Sequence, residues 1–318
     1  MKYKQIIFLL VLISTLYLEF NFAINITNCS ELQNITDLNM DYFIVNEINC
    51  NNTSNFIPIG NQTHPFRGTL DGKSNMIKNI KITSTSSDMV GIFAYGDSAT
   101  IKNLTIVNVN ITTSHSGVGA LFGYLINSTL TDIYLNTTSS GESNVLSGTS
   151  NMNCSGLVGY SINVQFTNIF IQNTLLSFPD CTAVGSITGY SINSILLNCH
   201  NIGFPSIPGA KTVVGKIEVG GLVGNFQSDN GYPLNSQIKK SGVVSGTIQG
   251  QSTMGGISGE LFIEKNAQFS ECYVKKEVII NCLNSDAGGI FGYISFGGNV
   301  NLTVEDSYSK ANMTGSGI

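Results

Sequence analysis

Very few residues of this 318-residue chain have side chains and spacings suited to catalysis. The sole arginine, Arg67, is close in sequence to Asp71, and the two could serve as the acid–base pair that a polysaccharide lyase needs. A turn stabilised by a salt bridge is the simpler interpretation, because exposed ion pairs are common. The one adjacent acidic pair, Glu305 and Asp306, would point to opposite faces of a strand, which does not suit a hydrolase. The sequence therefore predicts no catalytic residues.

Metal binding and cofactor binding are not expected either. The chain has no HExxH motif, and its histidines are His64, His115 and His200. No two of its seven cysteines have the CxxC spacing of zinc sites. We therefore predict neither a metal site nor a cofactor.

One set of side chains does suit ligand binding. In a glycine-rich block that occurs seven times, five of the equivalent positions hold tyrosine: Tyr95, Tyr124, Tyr160, Tyr190 and Tyr293. Asn225 and Glu260 fill the other two positions. The alternation of a strand would turn this column outward as a stripe, and aromatic side chains with polar tips suit contacts with sugars or proteins. The tyrosines are therefore candidate ligand-binding residues, although each ring could simply pack over the next coil.

The repeats themselves are the elements that would position these tyrosines. The copies are "MVGIFAYG" at 89–96, "VGALFGYL" at 118–125, "CSGLVGYS" at 154–161, "VGSITGYS" at 184–191, "VGGLVGNF" at 219–226, "MGGISGEL" at 254–261 and "AGGIFGYI" at 287–294. Self-similarity at intervals of 29 to 36 residues is typical of a solenoid or a propeller. The units are short for a four-stranded propeller blade and lack helical periodicity, so we expect stacked strands.

A second block follows each glycine block and supplies inward-facing columns. One apolar column consists of Ile101, Leu130, Phe166, Leu196, Ile238, Phe269 and Val304. A single unit cannot bury such a column, but coils stacked on one another can. A polar column is interpreted as a ladder of stacked side chains at a coil corner: Asn103, Asp132, Asn168, Asn198, Lys240, Glu271 and Asp306. The sequence predicts an all-β, right-handed parallel β-helix of about seven coils.

The N-terminus predicts export from the cell. Two lysines precede an apolar run at residues 6–18, which is short for a membrane span and has the layout of a signal peptide covering residues 1–23. A retained anchor is the alternative. No second apolar span follows, so we expect a secreted protein, either extracellular or at the cell surface.

The sequence also contains many acceptor motifs for N-glycosylation, which agrees with export from the cell. Asn51 and Asn52 are adjacent and cannot easily both be modified. The candidate sites are Asn25, Asn28, Asn34, Asn51, Asn61, Asn103, Asn110, Asn127, Asn136, Asn153, Asn301 and Asn312.

The seven cysteines permit disulfides but leave at least one thiol unpaired within the chain. Cys199 and Cys272 fall in one column two coils apart, about 9.6 Å from each other, which exceeds the ~7 Å limit for a disulfide. We interpret both as small buried residues. Cys29 and Cys50, which both precede the first coil, are the predicted bridge.

The repeats resemble the GLUG motif, and "GGLVG" at 220–224 matches its Gly-Leu-hydrophobic-Gly core. The stretches "FIPIG" at 56–60 and "PFRGTLDGKSNMIKNIKI" at 65–82 resemble the module that precedes such repeats in secreted surface proteins. The resemblance implies a right-handed β-helix of an adhesin-like extracellular protein. It implies no peptidase activity, because the zinc motif of some family members is missing.

These observations lead to one functional hypothesis and one alternative. Charged residues make up only 11% of the chain and form no basic stripe, which argues against nucleic-acid binding. We expect a glycosylated β-helix for recognition, adhesion or structural spacing, with glycans or surface proteins as partners. The alternative is a carbohydrate-active enzyme, a lyase or a hydrolase of the parallel β-helix class. The expected organisation is a signal peptide (1–23), an N-terminal cap module (24–82) and repeats (83–318) truncated at their C-terminal end.

Overall fold

The protein is a parallel β-solenoid of about eight turns, seen here as a computed structural model. The structure describes residues 23–84, 89–137, 144–149, 152–204 and 210–315. Apart from Ala23, the predicted signal peptide lies outside the described residues. Within these ranges the strands form three sheets, A, B and C, and there is a single short helix, α1 (Cys29–Gln33). No described helix is long and apolar enough to cross a membrane.

Sheet A forms the broad side of the solenoid. Its strands are β1 (Ile24–Ile26), β2 (Tyr42–Ile44), β3 (Ile48–Asn49), β4 (Thr69–Asp71), β5 (Met76–Lys78), β6 (Lys81–Ser84), β8 (Thr100–Val107), β9 (Asn110–Thr113), β11 (Thr129–Asn136), β12 (Asn144–Gly148), β15 (Gln165–Gln172), β16 (Thr174–Ser177), β19 (Ile195–Gly203), β20 (Lys211–Val214), β23 (Gln237–Lys239), β24 (Gly242–Gly250), β27 (Ala267–Ser270), β28 (Tyr273–Cys282), β31 (Leu302–Glu305), β32 (Tyr308–Ser309) and β33 (Asn312–Gly315).

Sheets B and C hold the glycine-rich blocks. Sheet B consists of β7 (Phe93–Asp97), β10 (Phe122–Ile126), β14 (Val158–Ile162), β18 (Thr188–Ile192), β22 (Val223–Ser228), β26 (Ser258–Ile263) and β30 (Phe291–Phe296). Sheet C consists of β13 (Cys154–Ser155), β17 (Ala183–Gly185), β21 (Glu218–Gly220), β25 (Met254–Gly255) and β29 (Ala287–Gly288). All recorded pairings are parallel, so each coil lies directly on the one before it.

The predicted inward-facing apolar column, from Ile101 to Val304, is confirmed at each position. Ile101 pairs with Leu130, and the register continues through Phe166, Leu196, Ile238 and Phe269 to Val304. Every member is fully buried except Val304, which is 46% exposed because no described coil lies over the last one. The core is therefore a continuous stack of apolar side chains along the solenoid axis.

The polar column marks a corner of each coil, as predicted. Its seven members, from Asn103 to Asp306, have left-handed backbone conformations with φ between 47° and 56°. Asparagine tolerates this conformation better than most residues. The side-chain amide of Asn168 donates to Asp132 at 2.7 Å, and that of Asn198 donates to Asn168 at 2.8 Å. Stacked side chains thus stabilise the bend in each long strand of sheet A.

Six of the seven blocks have glycine at the position that Ala94 fills in the first block, and backbones meet closely there. A Cβ on Gly224 would lie 2.4 Å from the nitrogen of Val184 and 2.5 Å from the carbonyl oxygen of Gly189. Gly189 and Gly259 have equally close backbone neighbours, within 2.7 Å. These glycines let the short strand of sheet C pass directly beside sheet B.

The predicted count of seven coils is one short of the observed number. Leu70 of the N-terminal module pairs with Ile101 of the first repeat, and Tyr42 pairs with Leu70. Strands β4 to β6 therefore form a further turn of the same solenoid, and β2 and β3 stack on that turn in the same way, although this segment lacks the glycine block. Its helix α1 buries Cys29 and Leu32 at this end.

Cys29 and Cys50 are joined by a disulfide, and so are Cys154 and Cys181. The remaining thiols are buried: Cys199, Cys272 and Cys282. Burial raises the pKa of Cys199 to about 12 and that of Cys272 to about 11. Both therefore stay protonated and unreactive at neutral pH.

Candidate functional site

The tyrosine column predicted from the repeats lies in register on sheet B. Tyr95 pairs with Tyr124, Tyr124 with Tyr160, and Tyr160 with Tyr190. The column continues through Asn225 and Glu260 to Tyr293. Tyr293 thus shares the column but is separated from the other tyrosines by two coils.

The first four tyrosines form a continuous stack, here called the tyrosine ladder. The ring centroids of Tyr95 and Tyr124 are 5.6 Å apart, and those of Tyr124 and Tyr160 are 5.2 Å apart. Tyr160 and Tyr190 are 5.0 Å apart with ring planes inclined by only 5°. The faces of Tyr124, Tyr160 and Tyr190 therefore pack on one another, while Tyr95 is tilted by 40° against Tyr124. This packing leaves the ring edges and hydroxyl groups, rather than open ring faces, for a ligand.

These hydroxyl groups stay protonated. Burial, followed by the neighbours Tyr124 and Tyr232, raises the pKa of Tyr160 to about 12. Burial also raises the pKa of Tyr190, with smaller contributions from Tyr160 and nearby carboxylates. A protonated phenol both donates and accepts a hydrogen bond, which suits a ligand rich in hydroxyl groups.

A loop folds back beside the ladder. Residues 229–236, which connect β22 to β23, place Tyr232 close enough to raise the pKa values of Tyr124 and Tyr160. The side chain of Asn193 donates to the carbonyl of Asp229 at 2.5 Å, and the nitrogen of Leu234 donates to Asn163 at 3.2 Å.

Lys265 holds the same loop from the other side. Its Nζ donates to the carbonyl oxygens of Tyr232, Pro233 and Leu234 at 3.0, 3.3 and 3.3 Å. The loop is thus fixed to coils on both sides of its own and lines the tyrosine ladder.

A cavity of about 280 Å³ opens at the other end of the ladder, beside Tyr95 and Tyr124. Arg67 and Asp97 form part of its wall and are joined by a 3.1 Å ion pair. The pairing of Arg67 with Asp71, considered from the sequence, is therefore wrong. Asp71 instead bonds Lys73 at 3.1 Å, which together with hydrogen bonds to Asn103 and the Lys73 backbone lowers its pKa despite burial.

Acidic residues gather where the tyrosine ladder stops. Glu218 of sheet C lies near Asn225 and Glu260, which are cross-coil partners in sheet B. Burial, and then the charge of Glu260, raises the pKa of Glu218 to about 7. Alignment of the repeats did not predict that Glu218 and Glu260 lie near each other, because they belong to different coils and occupy different positions of the repeat.

A second aromatic column, absent from the sequence predictions, runs along sheet A. Tyr134 stacks on Phe170 at 5.0 Å, Phe170 packs on His200 at 5.3 Å, and His200 packs on Tyr273 at 5.7 Å. Tyr308 continues the column beyond Tyr273 at 6.2 Å. Each member follows the corner residue of its coil by two positions, a signal that alignment of the second block contains.

The predicted glycosylation sites differ in accessibility. Asn153 is only 8% exposed. Asn103 and Asn136 are half-buried, and the amide of Asn103 donates to Asp71 at 3.1 Å. The other predicted acceptors are exposed: Asn25, Asn28, Asn34, Asn51, Asn61, Asn110, Asn127, Asn301 and Asn312.

Comparisons with known proteins agree with the fold. Over 113 residues, 34% of this chain, the sequence is 34% identical to halomucin of Haloquadratum walsbyi, of which the match covers 1%. A crystal structure of a candidate immunoglobulin A1 protease from Bacteroides ovatus superimposes with a TM-score of 0.53 at 14% identity. That superposition covers 93% of this chain and 77% of the other. No family model matches the chain.

At 14% identity, the likeness to the Bacteroides ovatus structure shows the fold alone. The chain also spans a very small part of halomucin, so the likeness does not carry over that protein's role. Function therefore has to be inferred from the surface of the solenoid itself.

Proposed function

We propose that the protein is a secreted or cell-surface recognition module that binds an extended carbohydrate chain along the tyrosine ladder. The observation that carries this proposal is the in-register row of four partly exposed tyrosines whose rings pack on one another. Successive hydroxyls at coil spacing can hydrogen-bond successive hydroxyls of a linear polysaccharide.

The surroundings of the ladder support the same proposal. The 229–236 loop lines the ladder, and the cavity beside Tyr95 offers an ion pair, Arg67–Asp97, for one end of a polar chain. The likeness to part of halomucin, a mucin by name, supports an extracellular setting. The assignment of the coils to GLUG repeats is likewise a proposal, supported by "GGLVG" at 220–224.

A hydroxyl deletion tests the proposal. Tyr160→Phe keeps the ring stack and removes one hydroxyl from the middle of the row. We expect affinity for the best ligand of a polysaccharide array to fall roughly fivefold to tenfold, the effect of about one hydrogen bond. Tyr134→Phe is the matched control, because it makes the same change in the stacked column of sheet A.

Two results would contradict the proposal. One is unchanged binding by both Tyr160→Phe and a folded Tyr160→Ala. The other is release of new reducing ends from the bound polysaccharide, which would support the carbohydrate-active enzyme instead.

A further inference from the structure

An exposed loop interrupts the line of the tyrosine ladder at its N-terminal end. The segment that stacks on β7 pairs Ile59 with Phe93 and Phe66 with Gly96. Six residues, 60–65, therefore occupy the place that two residues occupy in β7. The loop lies where the next member of the ladder would otherwise lie.

A second cavity, of about 440 Å³, lies beside this loop. Its wall consists of residues 36–39, His64, Pro65 and Arg67. Pro65 and Arg67 also line the cavity of about 280 Å³ beside Tyr95, so the two cavities adjoin. The larger volume is within the range of about 300–1,000 Å³ that is usual for small-molecule sites.

The turn at residues 36–39 is held in place by hydrogen bonds. The backbone nitrogen of Arg67 donates to the carbonyl oxygen of Leu38 at 2.6 Å. The hydroxyl of Tyr42 donates to the carbonyl oxygen of Asp37 at 2.7 Å. The cavity is therefore formed before a ligand arrives, which lowers the entropic cost of binding.

The ring of His64 has a fixed tautomer in its neutral form. Nδ1 lies 2.9 Å from Oγ1 of Thr63, and that hydroxyl donates to Oδ1 of Asn61 at 2.8 Å. Because the hydroxyl proton is used there, Nδ1 carries the ring proton and donates it to Thr63. Nε2 is then a hydrogen-bond acceptor, and it has no partner among the described residues.

The charges around this cavity favour an uncharged ligand. The guanidinium of Arg67 is ion-paired with Asp97, and Asp37 adds a further carboxylate to the wall. Asp37 and His64 offer hydrogen-bond acceptors. Arg67 keeps further N–H donors besides the one that bonds Asp97, and Asn39 offers an amide donor. A mixture of donors and acceptors suits hydroxyl groups, each of which both donates and accepts.

We propose that this cavity, here called the end site, binds the terminal sugar unit of an uncharged carbohydrate chain whose following units lie beside Tyr95 and along the tyrosine ladder. The inference rests on the proposed function and adds that the protein recognises a chain end. The 60–65 loop stands in the line of the ladder, so a chain does not continue straight past it. Its end turns into the adjoining cavity, where Nε2 of His64 accepts a hydrogen bond from a sugar hydroxyl.

The number of protein molecules bound per chain tests end recognition. The probes are size fractions of linear mannan, linear xylan and mixed-linkage β-glucan, with polygalacturonate as the acidic comparison. Isothermal titration with a neutral polysaccharide that binds should give one protein per chain at every chain length. A stoichiometry that rises with chain length, or tighter binding of polygalacturonate, would overturn the proposal.

Two variants test the end site itself. His64→Ala removes the acceptor and keeps the bond from the backbone nitrogen of residue 64 to Asn61. We expect affinity to fall roughly fivefold to tenfold, the effect of about one hydrogen bond. Thr36→Trp fills the cavity from an exposed position and should weaken binding further. Asn52→Ala is the control, because Asn52 is exposed in the same module and lines neither cavity.

Asn61 is a predicted glycosylation site next to the end site, so the protein for these assays is made in a bacterial periplasm, where disulfides form and N-glycans are not added. Failure of this inference and failure of the proposed function give different results. No binding of any polysaccharide by the wild type would overturn both. Binding that Tyr160→Phe weakens, but that His64→Ala and Thr36→Trp leave unchanged, would overturn the end site alone.

Discussion

The hydroxyl of Tyr273 and Nδ1 of His200 lie 3.1 Å apart across an intervening coil, where the position between them is Gly242. On its other side, Nε2 of His200 lies 2.8 Å from Oδ1 of Asn198. Burial, followed by the charge of Lys275, lowers the pKa of His200, so its ring is neutral at pH 7. The missing side chain of Gly242 is what brings the two rings together.

A methyl group at position 242 should disrupt this contact. The Cβ of Gly242→Ala would lie 2.5 Å from the carbonyl oxygen of Tyr273 and 2.7 Å from its ring. We expect a loss of about 1–3 kcal/mol in the free energy of unfolding, measured by chemical denaturation. Gly298→Ala is the control, since nothing lies within 4 Å of the added atom. Equal stability of the two variants would contradict the close approach.

The corner ladder should depend on its asparagines. Asn168→Ala removes the 2.7 Å hydrogen bond to Asp132 and the 2.8 Å hydrogen bond from Asn198, and it places alanine at a φ of 55°. The expected cost is about 1–3 kcal/mol from the two effects together. Asn168→Gly relieves the backbone strain but does not restore the two hydrogen bonds, so its stability should lie between those of the alanine variant and the wild type. Thermal melts of the three proteins would show this order, and a glycine variant less stable than alanine would refute the explanation.

Glu218 should make stability depend on pH. The fold raises the pKa of Glu218 from 4.5 to about 7, so the folded protein binds this proton more tightly than the unfolded chain does. The contribution is therefore complete below pH 4.5 and is lost as the pH rises to about 7. It amounts to no more than about 3 kcal/mol.

Denaturation at several pH values measures this contribution. Glu218→Gln should lose the decline between pH 4.5 and 7, because glutamine does not titrate there. A glutamine variant with the same pH slope as wild type would assign the effect to other groups.

Glycan occupancy should follow accessibility. We expect glycans at exposed positions such as Asn25, Asn34 and Asn110 after expression in a eukaryotic secretory host. Asn153 should remain unmodified in the folded protein, because it is 8% exposed and a glycan cannot fit in the packed coil. Glycopeptide mass spectrometry would check this, and a fully occupied Asn153 in folded protein would contradict it.

The stacking register was predictable because it depends on local alternation repeated at nearly constant intervals. The column from Ile101 to Val304 and the corner from Asn103 to Asp306 therefore follow from alignment of the repeats alone. The extra turn of the N-terminal module was not predicted, since its strands stack without the glycine block that defined a coil.

The contents of the candidate site were only partly predictable. The tyrosine column followed from the alignment, but the covering of ring faces by neighbouring rings requires the actual coil spacing. The proximity of Glu218 and Glu260 brings together residues of two sheets, and the alignment of one column of residues does not predict it. Likewise, the return of the 229–236 loop to Asn163 depends on tertiary folding.

That loop has a mechanical consequence. In a solenoid each coil contacts mainly its neighbours, so tension applied at one end can peel coils away one after another. The bonds of the 229–236 loop to Asn163, Asn193 and Lys265 join four successive coils, those of β14, β18, β22 and β26. Peeling through this region requires these bonds to break as a group. Two members of the tyrosine ladder, Tyr160 and Tyr190, therefore lie on this reinforced stretch, whereas Tyr95 and Tyr124 lie on coils that the loop does not bind.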